Sequence, residues 1–184
     1  MGGRANLSWC EIGGLGPRRD RARHAIKINY RSAAALVNCS LVYSGHLGHG
    51  AALHVNHGGC ASLRASAAYA HNTIAAMASA SQVSFEECTL HSPKWAHFYL
   101  LVSAASKPPE IREKLDRHPE WRALHDRIDA HEAEGYLRVR RCRLFAPAGG
   151  KLPAWIGDKV HPRVLWEENV ESPDDHVYPA EEER

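Results

Sequence analysis

Five side chains able to bind a transition metal fall within fifteen residues: His46, His49, His54, His57 and Cys60. Imidazole and thiolate are good ligands for zinc, copper or nickel. The glycines between them would let a loop close around an ion. The spacing matches no zinc-finger pattern, there is no HExxH, and no acid stands nearby to act as a base. The expectation is a divalent transition metal such as zinc, in a metal-binding protein or a metal-dependent enzyme. The competing reading is a solvated loop whose histidines bond backbone carbonyls.

Two arginine clusters suggest a different chemistry. In Gly13-Gly14-Leu15-Gly16-Pro17-Arg18-Arg19-Asp20-Arg21-Ala22-Arg23 the glycines allow close backbone approach and an anion-binding nest. Arg18, Arg19, Arg21 and Arg23 add charge and two-pronged phosphate contacts. The pattern is neither a Walker loop nor a dinucleotide fingerprint. The second cluster is Arg138, Arg140, Arg141 and Arg143, with Tyr136 and Phe145 at its ends. Read as one strand, it places Arg138 and Arg140 on one face and Arg141 and Arg143 on the other. Such a strand suits an edge, with aromatics available to stack on single-stranded bases. The alternative is ion pairing to the acids Asp126, Asp129, Glu132 and Glu134.

Residues 7–19, from Leu7-Ser8-Trp9-Cys10 through Gly13-Gly14-Leu15-Gly16 to Arg18-Arg19, resemble the glycine-rich loop of RAMP-type RNA-binding subunits of CRISPR effector complexes. The resemblance implies a ferredoxin-like fold and a loop laid against guide RNA. It covers about a dozen residues of 184. The family's second glycine cluster is replaced by Arg23-His24-Ala25, and the loop stands at the start of the sequence rather than after most of a domain.

Segments around these clusters must position them. Leu63, Ala67, Ala70, Ile74 and Met77 recur at spacings of four and three, which predicts a helix over 62–82 capped by Ser62. Pro108-Pro109, Pro119 and Gly135 bracket a second helical region over 109–134. Residues 25–30, 83–90, 136–145 and parts of 152–166 read as strands, 33–43 and 95–102 as buried strand or helix, and 44–60 as loop. No internal repeat is evident. The expected fold is α+β: a small, mostly antiparallel sheet with a helical middle, spanning 1–166, followed by an acidic tail over 167–184 that is too poor in apolar groups to order.

Composition sets outer bounds. The chain has 184 residues, 44% hydrophobic and 24% charged, with net charge +2. Residues 1–40 hold seven Arg/Lys against two acids, and residues 167–184 hold eight acids against Arg184. No long apolar run suggests a membrane span or secretory leader, so the cytoplasm is expected. Five cysteines without CxxC spacing argue against a disulfide framework and for buried thiols. No serine has a nucleophile-elbow context, and the single histidines that could serve as acid or base are not paired by the sequence. The leading expectation is therefore an RNA or single-stranded nucleic-acid binder, a non-catalytic subunit working with other protein subunits. A metal-binding protein or metal-dependent enzyme, and an interaction module without a ligand site, are the alternatives.

Overall fold

The computed structural model describes residues 3–13, 24–29, 32–43, 51–56, 58–70, 73–77, 80–92, 97–100, 116–119, 122–123, 135–146, 155–157 and 163–173. Short strands follow one another in coils. Coil 1 holds β1 (Arg4–Ser8), β2 (Glu11–Gly13) and β3 (His24–Ile28); coil 2 holds β4 (Ala33–Val37), β5 (Ser40–Tyr43) and β6 (Ala51–Val55). Coil 3 holds β7 (Cys60–Arg64), β8 (Ala67–Ala70) and β9 (Thr73–Met77); coil 4 holds β10 (Gln82–Glu86), β11 (Thr89–His91) and β12 (Phe98–Leu100). Coil 5 holds β13 (Tyr136–Arg140), β14 (Arg143–Ala146) and β15 (Trp155–Gly157); coil 6 holds β16 (Arg163–Glu167) and β17 (Val170–Pro173).

Every strand pairs in parallel with its counterpart one coil away, giving three sheets. Sheet A runs β1-β4-β7-β10-β13-β16, sheet B β2-β5-β8-β11-β14-β17, and sheet C β3-β6-β9-β12-β15. This is a parallel β-helix, a solenoid in which each coil rests on its neighbours. The expected α+β fold with its antiparallel, ferredoxin-like sheet is thus overturned. The segment 62–82 is not a helix: Leu63 lies in β7, Ala67 and Ala70 in β8, and Ile74 and Met77 in β9. The region 109–134 lies largely outside the described residues; within it the Arg122 N–H donates to the His118 carbonyl at 3.0 Å. The loop expected over 44–60 contains β6. The acidic segment begins inside the fold, because Glu167 closes β16 and Val170–Pro173 form β17. Residues 167–173 thus take part in the strands of the fold, and residues 174–184 lie outside the described set.

A repeat is present, and it resides in the corners. After each sheet-A strand comes one residue in the left-handed region: Trp9, Asn38, Ala65, Glu87, Arg141 and Glu168, with φ between 47° and 56°. Next comes a small inward residue: Cys10, Cys39, Ser66, Cys88, Cys142 and Asn169. Five of these six side chains fold back on the carbonyl two residues earlier, as in Cys39 Sγ to Val37 O at 3.4 Å, Ser66 Oγ to Arg64 O at 2.8 Å and Cys142 Sγ to Arg140 O at 3.3 Å. Asn169 instead reaches across to coil 5: its Nδ2 donates to the Val139 carbonyl at 2.8 Å and its Oδ1 accepts from the Cys142 N–H at 2.9 Å. The corner backbones continue the ladder, as in Ala65 N–H to Glu86 O (2.9 Å) and Thr89 N–H to Ser66 O (3.0 Å). All five cysteines are free thiols, and Cys39, Cys88 and Cys142 are buried. Hydrogen bonding with Cys142, together with burial, pushes the Cys88 thiol far up.

A left-handed residue with a Cβ costs about 1–2 kcal/mol. Glycine relieves that cost but gives up about 0.5–1 kcal/mol of chain entropy. Ala65 is exposed, so its methyl group contributes little burial. Ala65→Gly should therefore raise unfolding stability by about 0.5–1 kcal/mol in urea titration. A destabilisation would mean that the corner does not hold this conformation in solution.

The core lies inside the three sheets. Ala61, Leu63, Val83, Phe85, Leu137 and Val139 point inward from sheet A, and Leu41, Ala68, Leu90 and Leu144 from sheet B, all buried. Leu53, Val55, Ala75, Met77 and Phe98 complete the interior from sheet C. Phe98 meets Phe85 at 5.3 Å between ring centroids and Trp166 at 6.3 Å. On sheet C the alternate positions Ala52, Ile74 and Ala76 are buried as well, so both faces of its middle strands are covered. No helix among the described residues is long and apolar enough to cross a membrane.

Candidate functional site

With hydrophobic side chains turned inward, chemistry is left to the outward columns. On sheet A these columns are set by register. Arg4, Ala33, Cys60, Gln82 and Tyr136 align coil by coil, as do Asn6, Ala35, Ser62, Ser84 and Arg138. Because most of these side chains are small, the face is hollowed into a cleft of about 170 Å³. Arg4 of coil 1 stands at one end and Tyr136 of coil 5 at the other, and among the described residues no Asp or Glu lines it. At about 4.8 Å per coil the cleft extends roughly 19 Å along the solenoid axis.

The second arginine cluster is a corner rather than one strand. Arg138 and Arg140 face outward on sheet A, Arg141 occupies the left-handed corner, and Arg143 begins sheet B. The bend explains how arginines can occupy apparently opposite faces without burial. Among the described residues their partners come from neighbouring coils; Asp126, Asp129, Glu132 and Glu134, the acids expected to pair with them, lie outside the described residues. Arg141 Nη2 pairs with Glu86 at 2.8 Å and Glu87 at 2.7 Å. Arg140 approaches Glu86 at 3.8 Å and Glu167 at 3.6 Å, and Arg138 meets Glu167 at 3.4 Å. These pairs are a third or more exposed, so each contributes only about 0.2–1 kcal/mol. They do neutralise much of the cluster's field. Arg143 lies over the Phe145 ring at 5.4 Å.

The remaining expected site residues are dispersed. Gly13 ends β2, on the outer edge of sheet B. Gly14, Gly16, Arg18, Arg19, Arg21 and Arg23 lie outside the described residues, as do His46, His49 and His57. His54 sits on sheet C and Cys60 on sheet A. Burial pushes the Cys60 thiol up, and its sulfur is 3.7 Å from Gln82 Oε1. Among the described residues no group of three His, Cys, Asp or Glu is placed to hold a metal.

Arg4, Gln82, Ser62 and Ser84 escape a reading by motif, because they converge only through coils 29, 27, 22 and 54 residues long. The signal that could find them is the corner pair, a left-handed residue followed by Cys, Ser or Asn, which recurs at those spacings. Comparison with family models, curated proteins and solved structures gave no match, so the functional reading rests on the site alone.

Proposed function

We propose that the chain is a non-catalytic binding protein that lays single-stranded nucleic acid, RNA by preference, along the outward face of sheet A. The observation that carries this reading is the placing of Arg4 and Tyr136 in one cleft that no acid among the described residues lines. A guanidinium offers a phosphate contact and a phenol ring offers a base platform. Single strands are favoured because only unpaired bases expose a face for stacking. Asn6, Ser62, Ser84 and Gln82 supply hydrogen-bonding groups of the kind that distinguish a ribose 2′-hydroxyl. The cluster at Arg138–Arg141 contributes less than its charge suggests, since Glu86, Glu87 and Glu167 share it.

Filter binding of a labelled 30-nucleotide RNA at several salt concentrations tests the reading. Tyr136→Ala should cost about 1–3 kcal/mol with the salt slope unchanged. Arg4→Gln should flatten the slope by about 0.7. Binding no tighter than about 10⁻⁴ M, or equal binding by both variants and the native chain, removes RNA as the ligand of this cleft.

A further inference from the structure

Coil 1 leaves one edge of sheet A open. Among the described residues β1 pairs with β4 and with no other strand. The Gly3 carbonyl accepts from the Ala33 N–H at 2.9 Å, and the Trp9 N–H donates to the Val37 carbonyl at 3.2 Å. Residues of odd number therefore bond to β4. Arg4, Asn6 and Ser8 turn their backbone N–H and C=O groups the other way. The inward columns are open at the same end. Ala61, Val83 and Leu137 are buried, but Ala5, which heads their column, is exposed. Leu36, Leu63, Phe85 and Val139 are buried as well, and Leu7 at the head of that column is only half-buried.

Coil 6 is guarded where coil 1 is not. In the inward column of Ile12, Leu41, Ala68, Leu90 and Leu144, coil 6 places Glu171. An inward charge keeps a sheet edge from recruiting another strand, because the newcomer would bury a carboxylate without a partner. The corresponding inward positions of β1 and β2 hold Ala5, Leu7 and Ile12, none of them charged.

Charge selects the occupant. Residues 1–40 hold seven Arg/Lys against two acids, so two copies meeting coil 1 to coil 1 would repel. Glu171 opposes the other arrangement, coil 6 of one copy on coil 1 of the next. Arg4 is exposed on the outward side of β1, whereas Glu11 stands on β2, so a carboxylate is favoured beside the first strand and not beside the second. We propose that β1 takes an extended segment of a partner protein as a seventh strand on the six of sheet A, with apolar side chains over Ala5 and Leu7 and a carboxylate beside Arg4. Backbone pairing supplies the affinity and the alternation of side chains the selectivity, as in strand addition to open edges generally. The edge is a different surface from the RNA cleft, although Arg4 serves both.

The probe is a fluorescent peptide with the core Glu-Val-Thr-Val-Glu, which reads alike in parallel and antiparallel pairing. A scrambled peptide of the same composition and a Lys-Val-Thr-Val-Lys peptide are the controls, and anisotropy is followed without RNA. The full chain is compared with two variants. Asn6→Pro removes an N–H that faces the open edge and no bond to β4, a place where an edge strand tolerates proline. Arg4→Glu reverses the charge beside the new strand. The native chain should bind the acidic peptide at least about tenfold tighter than either control. Asn6→Pro, its fold checked by circular dichroism, should weaken that binding by at least about tenfold. Arg4→Glu should weaken it by at least about threefold and favour the lysine peptide instead. Should the proline variant fail to fold, this exchange of preference decides. Equal binding of the acidic and scrambled peptides, or binding unchanged in a folded Asn6→Pro, would overturn the assignment. So would a dimer in sedimentation velocity that Asn6→Pro dissolves, since the edge would then belong to a second copy. Failure of the chain to bind RNA leaves the peptide result intact.

Discussion

Phe85→Ala is expected to lower the unfolding free energy by about 3–5 kcal/mol, the range for a fully buried phenylalanine reduced to a methyl group. Phe85 is 0% exposed and points inward from the middle of sheet A. Its ring meets Phe98 from sheet C, so the pair joins two walls of the solenoid across the interior. A domain of ordinary stability holds only about 5–15 kcal/mol, and the alanine variant can fall below what keeps it folded. Phe85→Leu is the companion measurement. It retains most of the volume and should cost less than about 1.5 kcal/mol. Urea titrations followed by far-ultraviolet circular dichroism would read both. Losses below about 1 kcal/mol for the alanine variant would show that the interior is not packed around this ring.

Acid should weaken the fold through His97. Its ring is fully buried against Phe98, and neither ring nitrogen has the geometry of a hydrogen bond. Burial pushes its pKa down to about 4, and the charge of His91 adds to this; the nearby backbone of Phe145 and Leu90 pulls the other way without prevailing. In the unfolded chain a histidine titrates near 6.5. As pH falls, the unfolded state therefore takes up the proton first. Stability from this residue is fully present above about 6.5 and is lost progressively as pH falls to about 4. At 1.36 kcal/mol per unit of pKa, the total is of order 3 kcal/mol. Thermal melts at intervals from pH 7.5 to 4 should show the native chain losing stability faster than His97→Leu, which has no proton to take up there. Parallel curves for the two proteins would place the acid sensitivity elsewhere.

The strands were legible from local pattern and their assembly was not. Alternation of inward and outward side chains marks 25–30, 83–90 and 136–145 as extended, and all three contain strands. The segment 62–82 misleads because Leu63, Ala67, Ala70, Ile74 and Met77, at spacings of three and four, satisfy a helix as well as three short strands. What decides is Ala65-Ser66, where a left-handed residue and a hydroxyl bonded to the Arg64 carbonyl break the chain's direction. Trp9-Cys10, Asn38-Cys39, Glu87-Cys88 and Arg141-Cys142 repeat that device, but only the second residue keeps a chemical likeness, and the intervals vary. The arginines at 138–143 were recognisable as surface cations. Their ion pairs were not, since Glu86, Glu87 and Glu167 approach only through stacking of coils. For the same reason Arg4 gave no hint of sharing a cleft with Tyr136.

Coil 4 takes 54 residues to return to register, against 22 to 29 for the other coils. Lengthening a connection between coils costs little in general: each doubling of a loop adds only about 0.6 kcal/mol to the entropy of closing it, less than a left-handed residue with a Cβ costs. The added sequence falls between β12 and β13, and β10 still pairs with β13 from Gln82 opposite Tyr136 to Glu86 opposite Arg140, so the sheet A ladder continues across it. A solenoid of this kind has a natural place for growth: sequence can be added between coils and a new surface acquired without renegotiating the stack that carries it.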